Sequence, residues 1–240
     1  MELELPRVVF FGRTGEEACS FFNLDLAQWR GKRVLDCPGG PGSLTPLARL
    51  QGVEMLAVDP LYALSADEME RRCRDDVRFT LERLHQSDSQ RPDFDLESYR
   101  NSKLAALEMF LNDQRTHPSS YQAGALPELD LPDQSFDLVL SGHFLFSYAP
   151  RADGGIHELS SFDLSWHCRA LRELLRVCRE ELRIYPAHTI SRPARVHPYV
   201  EPLVADLPVC WQASLEDTPY DQGHEGETPM LKIRRISTAV

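Results

Sequence analysis

Residues 32–50 read KRVLDCPGGPGSLTPLARL and carry the clearest structural pattern in the chain. An apolar run ends at Asp36, a loop of glycine and proline follows, and leucines then recur at helical spacing from Leu44. A second apolar run, VEMLAV at residues 53–58, leads into Asp59 and Pro60, and proline cannot continue a central strand. Strand, helix and strand within about thirty residues form one βαβ unit, which predicts a parallel sheet.

The periodicities on either side of this unit complete a Rossmann-like α/β fold. Residues 64–115 show two apolar stripes at helical spacing with a polar break at residues 86–92, which predicts a helical pair inserted at about residues 63–118 over the carboxyl edge of the sheet. The other predicted elements are a short strand at 120–123, a strand at 136–140, a helix at 164–178, a strand at 181–185 and an antiparallel pair at 209–213 and 230–236. We expect residues 1–240 to form one domain, with a mostly parallel sheet, flanking helices, the inserted pair and a C-terminal edge hairpin.

The loop after the first strand is suited to hold a polar or charged ligand. Its glycines let a ligand approach the backbone, and the helix that follows points free N–H groups into the same space. Asp36 and Asp59 end neighbouring parallel strands, so we expect both carboxylates at one crevice, where Asp59 can accept hydrogen bonds from a ribose. Capping of the strand ends is the alternative role for either side chain. Two nucleotide motifs are broken, because Thr45 stands where the dinucleotide pattern needs its third glycine and the loop has no lysine for a phosphate loop.

Four segments resemble, in order, the motifs of class I S-adenosylmethionine-dependent methyltransferases, and the whole pattern is similar to a bacterial branch of that family. They are DCPGGPG at residues 36–42, VDPLY at 58–62, LPDQSFDLVLS at 131–141 and LRELLRVC at 171–178. Two departures stand out. Pro38 replaces the first glycine of the loop and removes a backbone donor, and residues 122–126 (QAGAL) lack the acid that often takes the adenine amine in the family.

The resemblance implies S-adenosylmethionine as the cofactor and a set of residues that bind it. The implied cofactor-binding residues are Asp36, Pro38, Gly39, Gly40, Gly42, Ser43, Asp59, Pro60, Leu61 and Ser141. The loop would hold the methionine end, Asp59 the ribose, and Pro60 with Leu61 the adenine, while Ser141 and His143 would border the transferred methyl group.

His143 is the candidate catalytic residue, since it follows the fourth strand and an imidazole titrates near neutral pH. A partly buried histidine bonded to the loop backbone is the equally weighted alternative. Arg13 lies in the polar segment GRTGEE at residues 12–17, where it could pair with the carboxylate of the cofactor. A solvated surface arginine is the interpretation that we favour for it.

Composition excludes several function classes. The net charge of -11 and the pI near 5.2 argue against a nucleic-acid partner. The chain has no run of about 18 apolar residues, so no membrane span is predicted. The acidic N-terminus and the six scattered cysteines predict a cytoplasmic protein with buried free thiols and no metal site. The sequence does not determine the oligomeric state.

We predict methyl transfer to a small molecule. The alternative is a non-catalytic module that binds S-adenosylmethionine or S-adenosylhomocysteine, and the third hypothesis is a nucleotide-dependent oxidoreductase.

Overall fold

Seven strands form a single sheet in the computed structural model, which describes residues 5–87 and 90–236. In chain order they are β1 (Arg33–Asp36), β2 (Glu54–Val58), β3 (Tyr121–Gln122), β4 (Phe136–Gly142), β5 (Cys178–Tyr185), β6 (Trp211–Glu216) and β7 (Met230–Arg235). They lie in the order β3-β2-β1-β4-β5-β7-β6. The strands from β1 to β5 pair with one another in parallel, and β7 is antiparallel to both β5 and β6. The predicted fold class, including the edge hairpin, is therefore confirmed.

The described residues also form six α-helices. They are α1 (Gly15–Phe21), α2 (Leu44–Leu50), α3 (Ala66–His85), α4 (Leu96–Thr116), α5 (Leu164–Val177) and α6 (Val200–Ala205). Helix α1 begins with a capping box in which the Thr14 side chain and the Glu17 side chain each bond the other residue's backbone N–H. The same arrangement of Ser65 and Glu68 begins α3. These caps fix where the two helices start.

Apolar side chains alternate between the two faces of the central strands. Leu35 and Val139 belong to the core on the α5 side, and Val34 and Leu138 belong to the core beneath α1 and α2. Because β1 and β4 are covered on both faces, nearly all their residues are buried. This burial explains why both strands are continuous apolar runs in the sequence.

Two strands begin two or three residues away from their predicted starts. β5 begins at Cys178 and not at residue 181, because Cys178 pairs with Phe136 next to a register shift at the start of β4. The first strand of the hairpin begins at Trp211 and not at residue 209, since Val209 is exposed and lies outside the ladder. Neither shift moves a predicted site residue.

The connection from β2 to β3 contains the two long helices α3 and α4, which pack on each other. Met69, Cys73 and Val77 of α3 form one apolar cluster with Leu107 and Phe110 of α4. Among the helices of the described chain, none combines the length and the apolar character that a membrane span requires.

Candidate functional site

A cavity of about 520 Å³ lies at the carboxyl ends of the central parallel strands. Strand β1 lies between β2 and β4, so the order of the strands in the sheet reverses at β1. Ligands of open α/β sheets bind at such a reversal. The volume falls within the range of small-molecule sites. Of the predicted site residues, those that line the cavity are Asp36, Pro38, Gly39, Gly40, Gly42, Asp59, Pro60, Leu61 and His143.

The glycine loop is fixed to the tip of β2. The Gly39 N–H donates to the Val58 carbonyl, and the Tyr62 hydroxyl donates to the Gly40 carbonyl at 2.6 Å. A Cβ atom at Gly39 would lie 2.7 Å from the Tyr62 hydroxyl oxygen and 2.8 Å from the Ala57 Cβ. A glycine is therefore required where the loop crosses β2.

Asp59 stabilises the loop and still faces the cavity. Its carboxylate accepts one hydrogen bond from the Gly40 N–H at 3.1 Å and another from the Leu61 N–H at 2.9 Å. Each oxygen keeps a second lone pair that can accept a ligand hydroxyl. Burial raises the pKa of Asp59 to about 6, although the two backbone donors act in the opposite direction. The capping role and the capacity to bind a ribose are thus compatible.

Asp36 is a buried carboxyl group with a second carboxyl group nearby. Burial, and after it the charge of Asp59, raises the pKa of Asp36 to about 7. Within residues 5–87 and 90–236, neither aspartate has an ion pair. A ligand that places positive charge at this end of the cavity would favour ionisation of both groups.

Ser43 and Ser141 are buried and do not line the cavity. The Ser43 hydroxyl accepts a hydrogen bond from the Gly15 N–H at 2.9 Å, so this side chain joins the glycine loop to the start of α1. The Ser141 hydroxyl is buried at the end of β4 and has no hydrogen-bond partner among the described residues.

Arg13 lines the cavity, in contrast to the solvated position that the sequence interpretation favoured. Its side chain is only 8% exposed, so the preferred interpretation of a solvated surface arginine was wrong. The guanidinium lies over the rings of Phe11 and Tyr99, at 5.3 and 5.6 Å from their centres, and lines the cavity. Its Nη2 atom is 3.5 Å from Nδ1 of His143. Arg13 therefore brings a buried positive charge beside the candidate catalytic residue.

The His143 ring is enclosed by aromatic side chains at the end of β4. It makes edge-to-face contacts with Phe21, Tyr185 and Tyr220, at 4.8, 5.2 and 6.1 Å between ring centres. Its Nε2 atom is buried without a hydrogen-bond partner in the described part of the chain. Burial, followed by the charges of Arg13 and Lys103, lowers the pKa of His143 well below the usual value, so the ring is neutral at neutral pH.

A buried ion pair supports the Arg13 side of the cavity. The fully buried Lys103 Nζ atom lies 2.8 and 3.1 Å from the two carboxylate oxygens of Glu17 and 4.6 Å from the centre of the Tyr99 ring. Burial and the neighbouring Arg13 lower the pKa of Lys103 to about 7. The sequence contains one signal for this pair, because Lys103 stands four residues before Leu107 on the apolar face of α4.

The segment after β3 contributes backbone to the cavity in place of the missing acid. Gly124, Ala125 and Leu126 line it, whereas the Gln122 amide donates to the Asp130 carbonyl at 3.4 Å. Backbone N–H and carbonyl groups are thus the polar atoms available at this wall.

The half of the cavity beyond His143 is mostly apolar. Four separate parts of the chain contribute side chains to it, namely the N-terminal segment, helix α3, the segment after β4 and the segment after β5. The apolar residues of this half, which we call the apolar chamber, are Leu5, Val8, Leu84, Phe144, Tyr148, Ile156, Phe162 and Ile190.

No family model matches the chain. The uncharacterized protein MJ0045 of Methanocaldococcus jannaschii is 24% identical over 237 residues, which cover 97% of this chain and 99% of that protein. This similarity extends over the helical pair and the edge hairpin as well as the glycine loop.

Solved structures with a similar course of the chain include two methyltransferases. The 1,6-didemethyltoxoflavin-N1-methyltransferase of Burkholderia thailandensis, with bound 1,6-didemethyltoxoflavin and S-adenosylhomocysteine, is 12% identical with a TM-score of 0.47, covering 92% of this chain and 76% of that one. The magnesium protoporphyrin IX methyltransferase of Synechocystis PCC 6803, with bound S-adenosylmethionine, is 13% identical with a TM-score of 0.44, covering 92% and 80%. At these scores the function has to be inferred from the residues of this chain.

Proposed function

We propose that this protein transfers a methyl group from S-adenosylmethionine to a small molecule. The observation that carries the proposal is the pair of buried carboxylates, Asp36 and Asp59, which line one cavity beside a glycine loop and have no ion pair among the described residues. A ligand with a cationic end offsets the cost of burying two like charges. S-adenosylmethionine carries both an ammonium and a sulfonium group at the end opposite its nucleoside.

The remaining walls fit the rest of this cofactor. The free lone pairs of Asp59 suit the ribose hydroxyls, and the backbone of Gly124 to Leu126 offers donors and acceptors to the adenine. Gly40 and Gly42 leave room for the methionine end, which Asp36 would hold through its ammonium group. When bound, the cofactor supplies an electrophilic methyl carbon on sulfur.

The protein's own contribution would be positioning and exclusion of water. Methyl transfer depends on aligning the acceptor atom with the carbon–sulfur bond, and fixed walls on both sides supply that alignment. The glycine loop is held by Tyr62 and Asp59, while the apolar chamber limits the access of water. The role of His143 as a proton acceptor stays a prediction, and it depends on which ring nitrogen of this cavity-lining residue carries the proton.

Calorimetric titration with S-adenosylhomocysteine tests the cofactor assignment. We expect binding, and Asp59→Ala should weaken it by about 1–3 kcal/mol because the ribose hydroxyls lose their acceptor. Asp217→Ala removes an exposed carboxylate and is the matched control, for which we expect unchanged binding. Absence of binding at about 1 mM ligand, well above typical enzyme KM values, would contradict the proposal. Titration with NAD(H) checks the oxidoreductase hypothesis in the same instrument.

Methyl transfer itself is tested with S-adenosylmethionine that carries an isotope-labelled methyl group. The labelled cofactor is incubated with a panel of small acids, phenols and amines, and labelled products are detected by mass spectrometry. A labelled product supports the enzyme assignment. Cofactor binding without transfer to any panel member would favour the non-catalytic binding module.

A further inference from the structure

The position of Arg13 determines which hydrogen-bonding role His143 can play. The guanidinium Nη2 atom, which only donates, is 3.5 Å from Nδ1 of His143. A proton on Nδ1 would point at this cation, so the lone pair of the imidazole belongs on Nδ1. In a neutral imidazole the single proton then sits on Nε2. His143 in this form offers an N–H group from Nε2 and cannot take up a proton there.

Two donors on residues that line the cavity are thus left without a partner in the described part of the chain. The Arg13 Nε atom and the His143 Nε2 atom are buried and have no hydrogen-bond partner among the described residues. Both side chains line the cavity, and the Arg13 side chain is more than nine-tenths buried. Buried donors without partners are costly, so an acceptor atom of a ligand is the group that this wall requires.

We infer that Arg13 and His143 form an oxyanion-binding pair that holds the ionised oxygen of the methyl acceptor, and that His143 acts as a hydrogen-bond donor and not as a base. This inference rests on the proposed function and specifies its substrate class. The pair combines a fixed positive charge with a neutral N–H group, and such charge-assisted donors bind carboxylates and other oxyanions strongly.

The charge balance of methyl transfer agrees with an anionic acceptor. A lone pair of the ionised oxygen forms the bond to the methyl carbon, and the electron pair of the carbon–sulfur bond remains on sulfur. An anion and a sulfonium cation thereby give two neutral products, and no proton has to be removed. The reaction then needs no base, which matches a His143 whose Nε2 already carries the proton.

The apolar chamber specifies the rest of the acceptor. Phe144 follows His143 directly in the chain, and Tyr148, Ile156, Phe162 and Ile190 continue the wall away from the pair. Polar side chains also line the cavity, among them Ser147 and Thr80, and the buried Thr80 hydroxyl of α3 has no partner in the described chain. A threonine hydroxyl in a helix can donate to the backbone carbonyl four residues earlier. The Thr80 hydroxyl does not make this bond, so it is available to a ligand. The acceptor is therefore a largely apolar acid.

The protonation state of His143 is tested directly by NMR. Long-range ¹H–¹⁵N spectra of histidine-labelled protein distinguish a protonated Nε2 from a protonated Nδ1, with His143→Gln identifying the signal. We expect a protonated Nε2 at neutral pH in the wild type. Arg13→Gln should relax this preference. A proton on Nδ1 in the wild type would overturn the inference, whatever the outcome for methyl transfer.

The acceptor class is tested by binding of 2-naphthoate and of its neutral counterpart 2-naphthamide to protein saturated with S-adenosylhomocysteine. We expect 2-naphthoate to bind at least tenfold more tightly, and Arg13→Gln to abolish this difference. His143→Gln keeps an N–H donor and should keep most of the preference, whereas His143→Leu should lose it. Lys32→Gln, at an exposed position away from the cavity, is the control for loss of a positive charge and should change nothing.

Three results would overturn the acceptor assignment. The first is equal binding of the two naphthalene compounds to the wild type. The second is an equal loss of the preference for 2-naphthoate in His143→Gln and His143→Leu. The third is an Arg13→Gln variant that binds S-adenosylhomocysteine at least tenfold more weakly and keeps its preference for 2-naphthoate. Arg13 would then bind the carboxylate of the cofactor and not the acceptor. Failure of S-adenosylhomocysteine to bind the wild type would instead remove the proposed function.

Discussion

Replacement of Asp36 by asparagine should stabilise the ligand-free protein at alkaline pH. Burial and the charge of Asp59 raise the pKa of Asp36 from 3.8 to about 7. Between these two values the folded state keeps a proton that the unfolded state has lost, so the group's contribution to stability is present at low pH and is lost as the pH rises through 7. Asparagine has nearly the same shape and no charge to bury.

The magnitude follows from the same two pKa values. A shift of about three pKa units corresponds to about 4 kcal/mol above pH 7, of which about 2 kcal/mol is already lost at pH 5. The free energy of unfolding of Asp36→Asn relative to wild type should therefore rise by about 2–3 kcal/mol between pH 5 and pH 8. The comparison with wild type at each pH cancels the contributions of the buried histidines.

Urea denaturation followed by circular dichroism at pH 5, 6, 7 and 8 measures this difference. Asp217→Asn removes an exposed carboxylate and serves as the control, with no trend expected. The same Asp36→Asn variant should bind S-adenosylmethionine more weakly, so that stability and binding change in opposite directions. A stability difference that stays constant from pH 5 to pH 8 would refute the assignment of a buried, unpaired carboxyl group at Asp36.

Two further substitutions test the loop and the buried ion pair. Gly39→Ala should weaken cofactor binding at least tenfold in calorimetry, because the added Cβ would lie 2.7 Å from the Tyr62 hydroxyl oxygen, and unchanged binding would show that the loop does not need this glycine. Lys103→Met should lower the free energy of unfolding by about 3–5 kcal/mol, since Glu17 loses its buried partner. The double variant Lys103→Met, Glu17→Gln should recover part of that loss in the same denaturation assay, and a double variant as unstable as the sum of both single variants would contradict the pairing.

The fold was predictable because its signals are local. The run of residues 34–36, the glycine loop and the leucines of α2 follow each other directly, and β4 is apolar throughout because both of its faces are covered. The same locality explains why Asp36 and Asp59 lie at one cavity as predicted, since parallel pairing of β1 with β2 brings the ends of the two strands together.

The Arg13 side of the cavity was not predictable in the same way. Arg13, the α4 residues Tyr99 and Lys103, and His143 come from three distant parts of the chain, and their juxtaposition depends on how α4 packs over the N-terminal segment. A polar segment before a helix has the composition of an exposed turn, so the sequence favoured a solvated Arg13. Only the lysine on the apolar face of α4 indicated a buried charge in this region.

The most direct test of the account is the number of protons released when S-adenosylmethionine binds. It is measured by calorimetry at pH 6.5 in two buffers that differ in ionisation enthalpy. With pKa values of about 7 and about 6, Asp36 and Asp59 together hold about one proton at this pH, and a bound cation should release most of it. We predict a release of about one proton for S-adenosylmethionine and a smaller release for S-adenosylhomocysteine, which keeps the ammonium group and lacks the sulfonium charge. Binding of S-adenosylmethionine with no proton release would contradict the claim that the paired aspartates receive the cationic end of the cofactor.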